Sequence, residues 1–437
     1  MTNDFRAADY IYKTVSFRYC GKEFSFGLSH GLFSSNSVDR GSALLLKTLA
    51  DDSTTITAPP ESIVDIGCGT GVLGICFAAR YPDSRVTMTD RDALALAVTE
   101  ENCKRNRIRN ASLRRSLMFH GLRDCSYDLV VSNLPAKAGA PVLEEFFRHA
   151  VRVLTPDGIC AVVIVLPLAD DAVGWIDGAG GRVLREERTS GHAVFHFTAA
   201  HHRDRSSDAA DEPARGSRNS RERSPEQHDS EAFPSSPTVP ETFIRTRTRI
   251  KLGKRQLEMD TVYALPEFDT PAYSTQNIIQ TLDLPGIRGS LLFWEPGQGH
   301  LPVYIIECVT GGADGLGELH LAGRDLLSLK ISAANAAKYG IRTHIHHLPA
   351  ITSLPQCIDE GKIGFILANY TPIPGVREEE AYRHAAESLL APAGTAAFSG
   401  KSSDIHRLTA KRRKYRITAD RKFRGFRCIL VRTVSSS

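Results

Sequence analysis

No apolar run in this chain approaches the roughly 18 residues that a membrane-spanning helix needs. The longest candidate, 159–168, reads as a buried strand. The first residues, Met1-Thr2-Asn3-Asp4, lack the basic-then-apolar pattern of a secretory leader. The nine cysteines are scattered, odd in number and without a Cys-x-x-Cys pair. That argues against a disulfide framework and a structural zinc site. The expectation is reduced, mostly buried thiols in a cytoplasmic protein with no metal and no membrane partner. A strong charge of one sign is also missing, since the formal net charge is only +4. With 42% hydrophobic and 24% charged residues, 34 Gly and 22 Pro, the composition is neither disordered nor collagen-like. A length of 437 residues exceeds one compact domain; at roughly 100–200 residues per domain it implies two to four.

One stretch breaks the globular texture. Residues 201–241 are polar, charge-mixed and rich in Ser and Pro, with Phe233 as their single aromatic. Such a segment buries too little apolar area to offset its ordering entropy and reads as a disordered linker. It separates 1–200 from 242–437, and these halves look like copies of one another. Gly21-Lys22 recurs as Gly253-Lys254, Thr48-Leu49 as Thr281-Leu282, and Arg91-Asp92 as Arg324-Asp325. Asn102, Asn133 and Arg148-His149-Ala150 recur as Asn335, Asn369 and Arg383-His384-Ala385. Asp65-x-Gly67-x-Gly69 aligns with Glu295-x-Gly297-x-Gly299. The nearly constant offset indicates a duplication.

In the first half, apolar runs at 62–66, 85–89, 112–115, 128–132 and 159–165 alternate with helix-period stretches near 71–80, 92–105 and 141–154. A last strand is expected near 193–197. The fold class is α/β: two tandem Rossmann-like domains, each a mostly parallel sheet with helices on both faces.

Asp65-Ile66-Gly67-Cys68-Gly69-Thr70-Gly71 follows a strand and opens a helix. Glycines permit a tight turn and close approach of a ligand. The helix N-terminus offers N–H groups and a positive dipole end to an anion. Asp65, at the strand end, can accept from an ammonium group. A ligand carrying both an amine and a carboxylate, such as the methionine end of S-adenosyl-L-methionine, suits this pairing. Gly69-x-Gly71-x-x-Gly74 also satisfies the dinucleotide fingerprint. In either reading Asp90, ending the next strand, would hold a ribose diol. Asp65 and the fourth strand end decide between the two. Cys68, inside the glycine loop, reads as a small packing residue rather than a nucleophile.

The fourth strand ends in Asn133-Leu134-Pro135-Ala136-Lys137-Ala138-Gly139. Asp65 to Gly71, Asp90 and this loop, in this order, resemble class I S-adenosylmethionine-dependent methyltransferases, and within them the methyltransferase small domain group that includes ribosomal RNA guanine-N2 methyltransferases. Gly31-Leu32-Phe33-Ser34, Val38-Asp39-x-Gly41-Ser42 and Leu44-Leu45-Leu46 are similar to that group's N-terminal signature. The resemblance covers residues 15–200 well and the second half in outline. It implies a seven-stranded sheet, with Asp65, Gly67, Cys68, Gly69, Gly71, Asp90, Arg91, Ser116 and Asn133 around the cofactor.

An exocyclic base amine is a poor nucleophile because its lone pair is delocalised into the ring. The Asn133 side-chain oxygen and the Leu134 carbonyl are placed to accept its hydrogens, and Pro135 to fix the loop. The plain alternative for this loop is an ordinary turn after a strand. Leu134 replaces the usual first proline, and no aromatic follows Pro135. A stacking partner for a flipped base must then come from elsewhere, with Phe33, Phe119, Phe195 and Phe197 as candidates. The third strand ends in Arg115-Ser116-Leu117 without the acid that usually meets the adenine amine, which leaves Ser116 or backbone groups for that contact. Lys137 either touches substrate phosphate or is a solvated lysine. No cysteine lies at 133–137, and no Thr-Cys or Pro-Cys dipeptide occurs, which argues against pyrimidine C5 methylation.

The second half keeps the outline and loses the chemistry. Gly323 stands where Asp90 would, and Asn369-Tyr370-Thr371 where Asn133-Leu134-Pro135 would. Residues 401–437 hold twelve lysines and arginines against Asp404 and Asp420, a net of +10, so the rest of the chain carries −6. Lys411, Arg412, Arg413 and Lys414 form its densest cluster, with Tyr415, Phe423 and Phe426 interleaved. Arg245, Arg247, Arg249 and Lys251 add a basic face if that segment is a strand. This pattern suits an RNA phosphate backbone, although it also suits a merely solvated face.

The expectation is therefore an RNA methyltransferase acting on a guanine exocyclic amine of ribosomal RNA or a ribosomal subunit, with catalysis in the first domain and RNA binding in the second. Two alternatives stand beside it. One is a methyltransferase for a protein glutamine or an adenine amine. The other is a non-catalytic RNA-binding or ribosome-assembly protein.

Overall fold

The computed structural model describes residues 5–33, 35–51, 56–200, 238–268, 270–309, 316–410 and 415–433. The expected linker at 201–241 lies almost wholly outside them; of its end, Glu241 already belongs to a short 3-10 turn, Glu241–Phe243.

The first domain opens with an antiparallel hairpin of β1 (Lys13–Tyr19) and β2 (Lys22–Leu28), followed by α1 (Arg40–Ala50). Then come β3 (Ser62–Ile66), α2 (Val72–Arg80), β4 (Arg85–Asp90), α3 (Ala93–Arg105), β5 (Ala111–Arg115) and β6 (Tyr127–Asn133). The domain closes with α4 (Ala140–Val153), β7 (Leu154–Val165), α5 (Ala169–Gly178), β8 (Gly181–Arg188) and β9 (His192–Ala199). The sheet order is β5-β4-β3-β6-β7-β9-β8, parallel except for β9 and β8. The strand order therefore reverses between β3 and β6. The carboxyl ends of those neighbouring strands open a crevice there.

The second domain repeats this plan. Its elements are β10 (Ile244–Leu252), β11 (Arg255–Val262), α6 (Tyr273–Thr281), β12 (Gly289–Trp294), α7 (His300–Val309), β13 (Leu316–Gly323) and α8 (Leu326–Ala337). They continue as β14 (Thr343–His347), β15 (Ile363–Asn369), α9 (Glu378–Leu389), β16 (Leu390–Lys401), α10 (Ser402–Thr409), β17 (Tyr415–Phe423) and β18 (Phe426–Thr433). The sheet order, β14-β13-β12-β15-β16-β18-β17, matches the first strand for strand.

Each sheet is covered on both faces. Val64, Val130, Val162 and Phe195 pack under α4 on one side, while Ile63, Val86, Val131 and Val163 pack with α1 and α2 on the other. The first of these cores runs on into the second domain through Phe243, Val262, Leu265, Leu326, Leu327 and Ile331. A smaller cluster joins Tyr10, Leu94 and Val98 to Ala350 and Ile373. The two domains thus share an apolar core.

The five strands expected at 62–66, 85–89, 112–115, 128–132 and 159–165 are all present, the last beginning five residues earlier, at Leu154. The hairpin, α1, α5 and β8 were not expected. β8 reads Gly-Arg-Val-Leu-Arg-Glu-Glu-Arg, an edge strand half in solvent with no apolar run to announce it. Four cysteines are buried rather than most of the nine, and Cys20, Cys125 and Cys357 are exposed. Among the described residues no helix is long and apolar enough to cross a membrane, and no cluster of His, Cys, Asp and Glu could hold a metal ion.

Candidate active site

Asp65 lies on β3 one residue before the strand ends, and burial pushes its carboxyl up to about 7. One oxygen, Oδ2, accepts the Gly74 N–H of α2 at 2.9 Å. The other, Oδ1, is buried and has no hydrogen-bond partner among the described residues. Gly67 and Gly69 both hold positive φ, +74° and +59°, and a Cβ added at either would meet nothing. The loop's surface is therefore open backbone. Gly74 is a glycine for packing, because a Cβ would stand 2.3 Å from the Met88 sulfur.

Asp90 ends β4 beside this loop. Its Oδ2 accepts the Gly69 N–H at 2.9 Å and its Oδ1 the Asp92 N–H at 2.9 Å. Each oxygen keeps a lone pair for a further donor. Burial raises this carboxyl to about 6. A lone buried carboxylate oxygen, an open glycine loop at a helix N-terminus and a second acid with spare acceptors fit the ammonium, carboxylate and ribose diol of S-adenosylmethionine.

Not every expected cofactor residue faces this loop. The Cys68 thiol is buried, lies 3.8 Å from Thr99 Oγ1, and is pushed well above its usual range by burial, so it is inert packing. The Arg91 guanidinium turns away to the second domain, donating to the Ala264 carbonyl at 2.9 Å and pairing with Asp325 at 3.3 Å. Ser116 also departs from expectation. Its hydroxyl faces the Met118 and His120 carbonyls, each at 2.9 Å, and its N–H is held by the Asp90 carbonyl at 3.0 Å. It closes the turn after β5, and only its acceptor lone pairs remain for a ligand.

Asn133 ends β6, which pairs with β3 so that Val131 lies opposite Asp65. The strand register alone brings its side chain to the crevice. Its Nδ2 donates to Asp39 Oδ2 at 2.7 Å and to Ser42 Oγ at 3.0 Å. The same Asp39 oxygen caps α1 by accepting the Ser42 N–H at 3.0 Å. A carboxylate accepts only, so the NH2 end of the amide must face it. The carbonyl end is left over, and no donor among the described residues reaches Asn133 Oδ1 or the Leu134 carbonyl. The Leu134 side chain is buried, and its N–H is tied to the Val163 carbonyl at 2.9 Å. Pro135 is extended, with φ −74° and ψ 119°, and starts the exposed 3-10 turn that carries Lys137.

Of the candidate stacking aromatics, Phe119, Phe195 and Phe197 are core residues; Phe33 is 73% exposed. Asp39 and Ser42 stand in the N-terminal signature, but the sequence held no sign of their bonds to Asn133, 94 and 91 positions away.

The second copy has lost its pocket more completely than the sequence alignment indicated. Ile66 lies opposite Thr89, and Trp294 lies opposite Ala322. Thr99 Oγ1 donates to the Gly69 carbonyl and Ser332 Oγ to the Gly297 carbonyl. By these registers Glu295 corresponds to Gly67, not to Asp65, and Phe293 takes the place of Asp65. Glu295 holds the left-handed φ of its counterpart, +53° against +74°. Its carboxyl accepts the Arg324 N–H at 2.9 Å and sits 3.2 Å from where a Gly323 Cβ would be, filling the space of the missing acid. Pro302 replaces Gly74, so the N–H that held Asp65 disappeared together with its acceptor. Asn369 still donates to Thr275 at 3.1 Å, but Ala272 stands where Asp39 would, and Tyr370 is buried.

Lys411, Arg412, Arg413 and Lys414 lie outside the described residues. β10 is a strand with Arg245, Arg247, Arg249 and Lys251 exposed along one face. Part of this charge is answered locally, Arg247 by Glu241 at 2.6 Å, Arg249 by Glu258 at 3.9 Å and Arg427 by Asp420 at 2.6 Å. Arg424 stacks over Tyr273 and Phe423 at 5.0 and 5.6 Å.

A model of the methyltransferase small domain matches residues 23–194. YbxB of Bacillus subtilis, an uncharacterized protein, is 30% identical over 156 residues, which are 35% of this chain and 74% of that protein. The ribosomal RNA small subunit methyltransferase C of Pasteurella multocida is 32% identical over 166 residues, 37% of this chain and 48% of that enzyme. Its counterpart from Mannheimia succiniciproducens is 32% identical over 137 residues, and the chain spans 39% of its length. Both methyltransferases are thus matched over less than half of their own length. The T. thermophilus 16S rRNA N2 G1207 methyltransferase, solved with AdoMet and guanosine, superposes with a TM-score of 0.62 at 14% identity, over 98% of this chain and 100% of that one. That likeness extends the fold across both domains.

The sheet order, the two strand-end acids and the glycine turn define an S-adenosylmethionine-dependent methyltransferase. The chain belongs to the methyltransferase small domain family.

Proposed function

We propose that the first domain methylates the exocyclic N2 amine of a guanine in ribosomal RNA. The observation that carries this reading is the orientation of Asn133: its NH2 is tied to Asp39 and Ser42, which leaves its carbonyl oxygen without a donor among the described residues.

When bound, S-adenosylmethionine supplies an electrophilic methyl group on a sulfonium. Asp65 would meet its ammonium, the Gly67–Gly71 turn its carboxylate end, and Asp90 its ribose hydroxyls. Asn133 Oδ1 and the Leu134 carbonyl accept the two hydrogens of the base amine. They hold the nitrogen in one place and stabilise the positive charge that grows on it. Pro135 keeps the loop extended. Phe33, exposed on the segment before α1, would stack the flipped base, and the exposed Lys137 would meet phosphate. The names of the Pasteurella and Mannheimia relatives and of the T. thermophilus enzyme support the choice of ribosomal RNA and guanine N2. Lys411 to Lys414 and the basic faces of the second domain would hold the RNA backbone.

The test is transfer of a labelled methyl group to ribosomal RNA and isolated subunits from cells lacking this gene, followed by nucleoside analysis. Label in N2-methylguanosine that is absent with Asp65→Ala is the expected result. Label in methylated adenine or in protein, with none in guanosine, overturns it.

A further inference from the structure

The two copies grip each other through an exchange with approximate two-fold symmetry. Arg324 of the second copy forks onto Asp92 of the first, Nη2 to Oδ2 at 2.6 Å and Nε to Oδ1 at 3.2 Å, and Nη2 also donates to the Gly31 carbonyl at 2.9 Å. Arg91 of the first copy makes the mirror contacts, with Asp325 and with the Ala264 carbonyl. The backbones cross-bond as well, Ala93 N–H to the Arg324 carbonyl at 2.9 Å and Leu326 N–H to the Arg91 carbonyl at 3.0 Å. His347 Nε2 lies 2.7 Å from the Arg324 carbonyl and 2.9 Å from the Arg91 carbonyl and bridges them. Each element contacts its own counterpart, as in an isologous dimer.

The two halves of this exchange differ in what lies behind them. Asp92 donates its N–H to Asp90, and Asp90 in turn accepts from Gly69 in the cofactor loop. Gly31 stands eight residues before Asp39, which orients Asn133. Arg324, only 18% exposed, therefore contacts both the residue that is bonded to Asp90 and the chain segment that precedes Asp39. Behind Asp325 the strand-end acid is replaced by Gly323, and the Glu295 carboxyl that fills its space accepts the Arg324 N–H.

We propose that Arg324 is a positioning residue for the catalytic copy, supplied by the copy that has lost its own pocket. It fixes the Asp90 loop through Asp92 and braces the Gly31 segment that leads to Asp39. This rests on the reading of the first domain as the S-adenosylmethionine site.

The test measures S-adenosylhomocysteine binding to the full chain by calorimetry, with thermal unfolding alongside. Arg324→Ala is expected to weaken binding by about ten-fold or more, within the usual range of coupling between sites. Arg324→Lys keeps the charge but not the fork, so it should fall between that variant and the parent. Asp325→Ala breaks the mirror half, and is expected to lower the unfolding temperature while affinity stays within about two-fold of the parent. If Arg324→Ala does not fold, intermediate affinity of Arg324→Lys at unchanged unfolding temperature carries the same conclusion. Parent-like affinity of the folded Arg324 variants, or equal losses in the Arg324 and Asp325 variants, overturns the proposal. A parent chain that binds no S-adenosylhomocysteine overturns the cofactor reading, and this inference with it.

Discussion

Replacing Asp39 tests whether Asn133 is an oriented acceptor. One carboxylate oxygen holds both the Asn133 NH2, at 2.7 Å, and the cap of α1. Hydrogen bonds to a charged group contribute about 1.5–3 kcal/mol. In Asp39→Ala the bond that fixes the Asn133 side chain in position, rotamer and face together, is lost, and Ser42 Oγ, which donates or accepts, does not replace it. At a factor of ten per 1.36 kcal/mol, the methyl-transfer rate constant should fall by about 10- to 100-fold. Loss of the cap costs about 1 kcal/mol as well, which in a domain of this size lowers the unfolding temperature by about 2–4 °C. Asp39→Asn can still present an oxygen to both donors; without the charge the bond is about half as strong, so the loss should be near five-fold. Single-turnover transfer of labelled methyl to RNA measures the rate constant, and calorimetry checks that S-adenosylhomocysteine affinity is unchanged. The decisive comparison is Asp39→Ala with Asn133→Ala. If Asp39 acts through Asn133, the double variant is no slower than Asn133→Ala alone. Multiplicative losses in the double variant would refute the reasoning.

Two further outcomes follow from the site. Burial holds Asp65 near 7 and Asp90 near 6, above the value of about 3.9 in an unfolded chain. The folded protein then binds these protons more tightly, so ligand-free stability should decline as pH rises from about 4 to about 7, which thermal unfolding measures. An ammonium pairs with the carboxylate form, so affinity for S-adenosylhomocysteine should instead improve between about pH 6 and 8, and Asp65→Asn should flatten that profile in calorimetry. Because Glu295 fills the second pocket and Phe293 replaces the strand-end acid there, titration should give one ligand per chain; two equivalents would show the second copy to be competent.

The strands that carry the site were legible because strands buried on both faces are written as continuous apolar runs, and the glycine turn follows one of them. The candidate site residues at or near strand ends, Asp65, Asp90 and Asn133, came with those strands. What depends on long-range pairing was not legible. Asn133 and Asp39 are 94 positions apart, and nothing local in either segment announces their bond. Arg91 reads as part of the Asp90 loop, but its guanidinium answers to a domain that sequence cannot place. Ser116 reads as a free hydroxyl until the carbonyls of its own turn are seen. The second glycine turn misled for a different reason. Its glycines recur every second residue, so the pattern matches equally well after a shift of two, and only the pairing of β12 with β13 decides the register. Phe119, Phe195 and Phe197 have the composition of stacking residues and the burial of core.

The fused, two-fold-related grip of the two copies has a consequence for how such a chain can change. In a dimer of identical chains, any substitution appears on both sides of the axis, so a glutamate in the left-handed turn or a proline in the first turn of the helix would spoil both pockets together. A chain that carries its partner in tandem is free of that constraint. One copy can fill its pocket with its own side chains and keep only the surface that its twin leans on. The conserved outline and the lost chemistry of the second half are then the same fact, seen from the two faces of one domain.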